Sequence, residues 1–107
     1  MAGLATAFGS GAMTNSISEL GGASTILAIG TNTTSGHPIV GQQVMAAVRK
    51  GSKLIVANPK EIDLCRIADH FLQHRPGTDV PLLMGMMRVI WDEGLYDKAF
   101  IETRCEN

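Results

Sequence analysis

Apolar and polar positions fall into short blocks along this chain. Thr25 to Gly30 and Lys53 to Asn58 each hold a continuous apolar run, Ile26-Leu27-Ala28-Ile29 and Leu54-Ile55-Val56-Ala57, bounded by polar residues or glycine. Runs of this length that do not alternate suit strands buried on both faces of a parallel sheet. Between them Val40, Val44, Ala47 and Val48 recur at helical spacing, and the pattern predicts a helix from Pro38 to about Lys50. Proline suits the first turn, where a missing N–H costs nothing, and Gly51 suits the stop.

The remaining elements read more weakly. Gly3 to Gly11 reads as loop. Ser16 and Glu19 have capping-box spacing, which predicts a short helix from about Thr14 to Leu20, stopped by Gly21-Gly22. Ile62, Leu64, Ile67 and Ala68 suggest another short helix, and His70 to Gln73 a third short strand. Pro76-Gly77-Thr78-Asp79 is a turn. It leads into the strongest helical stripe in the chain: Val80, Leu83, Met84, Met87, Ile90 and Trp91, ended by Gly94. The stripe is expected to face the core, and Met84 and Met87 to be packed there. A last helix starts near Asp97 with Phe100 and Ile101 inward. Strands alternating with helices predict an α/β fold, Rossmann-like and three-layered, with a small parallel sheet of three or four strands.

Composition narrows the class. At 107 residues, 45% hydrophobic and 18% charged, the chain is sized for one globular domain, residues 1–107. A net charge of −1 with no basic tract argues against a nucleic-acid surface. The longest apolar runs fall far short of the ~20 residues of a membrane span, and the first residues lack the pattern of a signal peptide. Cys65 and Cys105 are far apart and read as free thiols of a cytoplasmic protein, unable to build a zinc or iron–sulfur site alone. The opening Gly- and Ala-rich stretch and the ending at Arg104-Cys105-Glu106-Asn107 look cut from something longer.

Three loops are expected at one edge of the sheet: Gly30 to His37, Asn58 to Glu61, and Arg75 to Asp79. Gly30 allows close backbone approach, and small hydroxyl residues follow it before a helix start, where anions are stabilised. Asn58 ends strand two, a place from which dinucleotide folds often reach a ribose. Thr78 and Asp79 could meet the N–H edge of a purine. Each has a plainer use: Thr78 or Asp79 as a helix cap, Asn58-Pro59 as a turn, His37 as a loop-positioning residue. Gly9-Ser10-Gly11-Ala12-Met13-Thr14 imitates a GxGxxG loop, but Thr14 replaces the last glycine and no strand precedes it. His70 and His74 flank the third strand without the pattern of a triad.

Taken in series, these motifs resemble a known family. Gly3-Leu4-Ala5-Thr6-Ala7-Phe8-Gly9-Ser10-Gly11-Ala12-Met13-Thr14-Asn15-Ser16, Ile29-Gly30-Thr31-Asn32 with His37-Pro38, Ile55-Val56-Ala57-Asn58-Pro59-Lys60, Arg75-Pro76-Gly77-Thr78-Asp79 and Glu93-Gly94-Leu95-Tyr96-Asp97 resemble, in order, the large catalytic subunit of molybdopterin-dependent formate dehydrogenases. The resemblance implies a single Rossmann-like domain from a longer subunit that oxidises formate to carbon dioxide. It implies molybdenum or tungsten held by two molybdopterin guanine dinucleotides, with an iron–sulfur cluster elsewhere in the subunit. The cofactor-binding residues it implies are Gly30, Asn32, Ser35, Asn58, Pro59, Lys60, Gly77, Thr78 and Asp79. It puts the metal-binding cysteine or selenocysteine, with its neighbouring histidine, upstream of Gly3, so this stretch carries no catalytic or metal-ligating residue and is expected to be inactive alone. The implied partners are the other domains of the subunit and electron-transfer subunits. An excised domain with bare apolar faces is further expected to self-associate as a dimer. Two alternatives stay open: a non-catalytic electron-transfer or assembly relative, and a free-standing nucleotide-binding module.

Overall fold

The strands form where the apolar runs predict them. In the computed structural model, which describes residues 2–106, β1 spans Thr25–Ile29, β2 Lys53–Ala57 and β3 His70–Leu72. They make one parallel sheet in the order β1-β2-β3, with Leu27, Ile55 and His70 in one register row and Ala28, Val56 and Phe71 in the next. The α/β parallel fold is thus present, with three strands. No helix among the described residues is long and apolar enough to cross a membrane.

Seven-residue α1 (Ala2–Phe8) stands where a loop is expected. Alanine-rich sequence favours helix, and the Thr6 hydroxyl bonds back to the Ala2 carbonyl at 2.9 Å. Gly9, at φ +76°, ends the helix. The expected helix near Thr14 is instead a 3-10 segment, Ile17–Gly22, whose first turn is held by the Glu19 carboxylate accepting from the Ser16 N–H. A second surprise is α2 (Thr33–Gly36), one turn inside the loop after β1. Its residues have poor helix propensity, and the Asn32 carbonyl closes the turn by accepting from the Ser35 and Gly36 N–H groups. Then α3 runs from Pro38 to Arg49, close to prediction. A further 3-10 segment, Asp63–Ile67, precedes β3.

The chain divides into two compact units, residues 1–73 and 74–107. The core of the first is built from Ile26, Ala28, Leu54 and Val56 on one sheet face, Val44 and Ala47 of α3, and Ile62 and Leu64. Leu54 is fully buried. A leucine removed from water in this way contributes about 1.5–3 kcal/mol. Gly41 is buried where α3 meets α2; a Cβ there would come within 3.3 Å of the Thr33 and Thr34 backbone. On the opposite sheet face Leu27 remains 39% exposed.

The second unit holds α4 (Asp79–Asp92) and α5 (Lys98–Arg104). Between them Gly94, at φ +66°, turns the chain, and Trp91 stacks on Tyr96 with centroids 4.9 Å apart. The expectation of an inward stripe is corrected here. No residue of α4 is buried, with Val80 70% and Trp91 64% exposed, and Met84 and Met87 are exposed too. Phe100 and Ile101 of α5 are likewise exposed rather than inward. Apolar residues lie on several sides of α4, and such a helix is buried only when enclosed on those sides. A pair of helices cannot supply that enclosure.

Candidate functional site

The carboxyl ends of the three strands are tied into one polar network. After β1, Gly30 adopts φ +60° and its N–H donates to the Ala57 carbonyl at 3.0 Å. No atom lies within 4 Å of where a Cβ of Gly30 would stand, so the backbone there is open to approach. After β2, the Asn58 side chain reaches back 27 residues: Nδ2 donates to the Thr31 carbonyl at 3.2 Å. Its Oδ1 accepts from the Lys60 N–H at 3.0 Å, and its own N–H donates to the Leu72 carbonyl at 3.1 Å. Gln73 then closes the row, its Nε2 donating to the Pro59 carbonyl at 3.0 Å.

Six predicted residues stand on this edge. Gly30, Asn32 and Ser35 lie in the loop after β1, and Asn58, Pro59 and Lys60 in the turn after β2. Asn32, Ser35 and Lys60 are exposed. Two further residues bear on this edge. Gln73 adds its side chain to the network. Thr33 lies in the loop after β1 but outside the network; it is the one buried polar residue among those described, and its Oγ1 has no hydrogen-bond partner among them. Burying an unpaired hydroxyl is costly, so an orphaned one is unusual. Thr34 also fastens the loop, its hydroxyl lying 3.4 Å from Asp63 Oδ2. His37 takes its expected place before Pro38, as the residue whose carbonyl accepts from Gly41 N–H.

Gly77, Thr78 and Asp79 belong to the second unit. Gly77 has φ +78°, which explains glycine in this turn. Thr78 holds the N-cap position of α4, but its side chain does not cap. Its hydroxyl donates to the Arg75 carbonyl, as does its N–H at 3.2 Å. Asp79 is the first helical residue, and its carboxylate Oδ1 contacts His74 Nε2. The His74 side chain is only 8% exposed; that of Asp79 is 55% exposed. His74 was not singled out by its sequence context. Its position five residues before an acid, across a Pro-Gly turn, was the available signal.

Two carboxylates are held as acceptors away from these loops. Glu19 sits below its ordinary pKa because it accepts from the Ser16 backbone and hydroxyl. Asp69 is lowered chiefly by the Leu54 N–H, which donates to its Oδ2 at 2.8 Å, with Lys53 adding a weaker pull. Among the described residues no group of three or more histidines, cysteines or acids could hold a metal ion. Cys65 and Cys105 are free thiols. An apolar hollow of about 400 Å³ beside the Ile17–Gly22 segment is lined by none of the predicted residues. The Gly9–Thr14 imitation of a GxGxxG loop follows α1, not a strand.

Residues 2–102 match the family model of molybdopterin oxidoreductase. The chain belongs to this family. It is 45% identical over 104 residues to the F420-dependent formate dehydrogenase subunit alpha of Methanocaldococcus jannaschii, covering 97% of this chain and 16% of that protein. It is 42% identical over 106 residues to formate dehydrogenase H of Escherichia coli, covering 99% of this chain and 15% of that protein. Among solved structures, acetylene hydratase from Pelobacter acetylenicus superposes with a TM-score of 0.66 at 37% identity, over 80% of this chain and 13% of that one. The chain therefore spans about one-sixth of the length of the curated relatives it matches. The family implies a molybdopterin cofactor with a metal.

Proposed function

We propose that this molybdopterin oxidoreductase chain is a guanine-dinucleotide-binding segment of a formate dehydrogenase catalytic subunit. Its two units would act as one Rossmann-like domain, within a longer cytoplasmic polypeptide. The observation that carries the binding role is the Asn58 amide, which locks the loop after β1 to the turn after β2 and so fixes both before any ligand arrives. Preorganised loops of this kind bind without a large ordering cost. The formate assignment is supported by the two formate dehydrogenase relatives.

The residues present fit such a group. Gly30 leaves open space for close approach, the Thr33 hydroxyl is an orphaned buried donor, and one oxygen of the Asp79 carboxylate has no partner among the described residues. In the first unit, Asn32, Ser35 and Lys60 would donate to phosphate and ribose oxygens, while Asn58 and Pro59 shape the turn that holds them. In the second, Gly77 and Thr78 set the turn and Asp79 would accept from the N–H edge of a guanine base. Once bound, the molybdopterin guanine dinucleotide would supply molybdenum or tungsten to take electrons from formate. The residues of this chain bind and orient; metal ligation and the iron–sulfur cluster would fall to other segments, and onward electron transfer to partner subunits. The chain by itself would then be inactive.

The test uses the natural full-length polypeptide. Formate-dependent dye reduction is measured beside guanine nucleotide released on acid hydrolysis. The parent should reduce dye, and Asp79→Asn should lower bound guanine while the melting temperature holds. A cofactor-loaded parent that ignores formate would sink the substrate assignment. Full guanine content in Asp79→Asn would reduce Asp79 to a structural residue.

A further inference from the structure

We infer that His74 is a positioning residue that sets guanine selectivity by fixing the plane of the Asp79 carboxylate; this rests on the proposed guanine role of Asp79. Asp79 alone is poorly restrained. It opens α4, and its side chain is 55% exposed. A carboxylate that accepts one hydrogen bond tolerates rotation about its last torsion. One that accepts both N1–H and N2–H of guanine does not, because two parallel bonds need both oxygens in the plane of the base.

His74 supplies the restraint. Its imidazole is more than nine-tenths buried, so it is itself held, and Nε2 contacts Oδ1 of Asp79. Nε2 must carry the proton, since a carboxylate only accepts. A carboxylate offers about four lone-pair sites. The contact occupies one site on Oδ1 and leaves Oδ2 without a partner among the described residues.

The turn between the two residues is built to keep them together. Thr78 donates twice to the Arg75 carbonyl, through N–H and hydroxyl, and Gly77 takes the left-handed conformation that the tight return requires. With its hydroxyl spent on Arg75, Thr78 offers Asp79 no competing donor.

The experiment uses the natural full-length protein, purified free of cofactor, with GMP and IMP as probes in titration calorimetry. IMP differs from GMP only in lacking the amino group at C2. If the carboxylate grips both N–H groups, GMP should bind about ten- to a hundredfold more tightly. Asp79→Asn should abolish that preference. His74→Phe removes the donor but keeps a flat ring, and the GMP-to-IMP ratio should fall about three- to tenfold, the value of one immobilised side chain. His74→Gln, whose amide can donate from near the Nε2 position, should restore most of the ratio; His74→Asn, too short to reach, should not. Thermal melts on each variant separate selectivity from loss of fold. An equal loss of GMP and IMP binding in His74→Phe, or an unmoved ratio there while Asp79→Asn abolishes it, overturns the role of His74. A parent without preference for GMP, or Asp79→Asn that keeps the preference, overturns the guanine reading instead.

Discussion

The sheet unit and the α4 unit start from equally apolar sequence and end differently. In residues 1–73 the apolar positions of β1, β2 and α3 meet one another, and Leu54, Ala47, Val56 and Leu64 are almost wholly buried. In residues 74–107 a stripe of comparable strength covers α4 and none of it is buried. Apolar periodicity therefore reports which positions seek cover, not whether the cover lies within the same unit. The sheet unit can enclose its own stripe because three strands and a helix surround a common centre. Two helices joined by a short turn cannot.

The largest test of this contrast is a matched pair of truncations. Leu54→Ala should destabilise the 107-residue chain by about 2–5 kcal/mol, since it opens a cavity in a filled core. Met84→Ala, on the exposed stripe, should stay within about 0.5 kcal/mol. Urea unfolding followed by far-ultraviolet circular dichroism reads both. Equal losses would mean that α4 is covered in solution. Self-association through the bare stripe, which we propose gives a dimer, would produce that result only at high concentration, so sedimentation over a concentration series decides the cause.

A smaller effect is expected where the sheet unit meets its polar edge. Asn58→Asp replaces the Nδ2 donor by a carboxylate oxygen facing the Thr31 carbonyl, acceptor against acceptor. Half-buried and unpaired, that oxygen should cost about 1–3 kcal/mol. The Lys60 N–H bond should survive, because Oδ1 is kept. Amide exchange would show the split: faster at the Thr31–Gly36 loop, unchanged at Lys60. No loss of stability would mean that the two loops hold their places without the amide.

What could be read in advance follows the same division. The ends of β1, β2 and α3 were legible because apolar runs, Pro38 and Gly51 are local signals. The two site loops of the sheet unit were legible as polar breaks after strands. The bridge from Asn58 to Thr31 was not, because nothing in the neighbourhood of either residue encodes a bond across 27 positions. The α2 turn was hidden for a different reason: Thr33-Thr34-Ser35-Gly36 is poor helix sequence, and one carbonyl of Asn32 closes it. The α1 helix was obscured by glycines at its borders. His74 reads in the sequence only as a residue flanking the third strand, because its partner Asp79 lies across a turn rather than on the same helix face.

The finest test asks how the sheet unit seals its far edge under acid. Asp69 precedes β3 and grips Leu54 on both sides: its Oδ2 accepts from the Leu54 N–H, and its own N–H donates to the Leu54 carbonyl, each at 2.8 Å. The first of these bonds holds the Asp69 carboxyl below its ordinary pKa. A depressed acid stabilises the fold only while ionised. Its contribution is therefore complete above about pH 5 and is lost as pH falls through the native pKa, below about pH 4. Asp69→Asn keeps an oxygen for the Leu54 N–H and removes the titration. At neutral pH the variant should be slightly less stable than the parent, because it gives up a charge-assisted bond and the Lys53 ion pair, whose Nζ lies 3.5 Å from Oδ1. Toward pH 3 the two should converge. Glu19, lowered by Ser16, contributes a second acid-labile component with the same sign, so the variant should retain part of the acid sensitivity. Thermal melts from pH 7 to pH 3 read the difference. A gap between parent and variant that stays constant across that range would show that the Leu54 bond does not depend on the charge of Asp69. The α4 unit offers a weaker contact in its Arg88–Asp92 pair, which is exposed and one helical turn apart, and Asp92→Asn should barely move the melting temperature at pH 7.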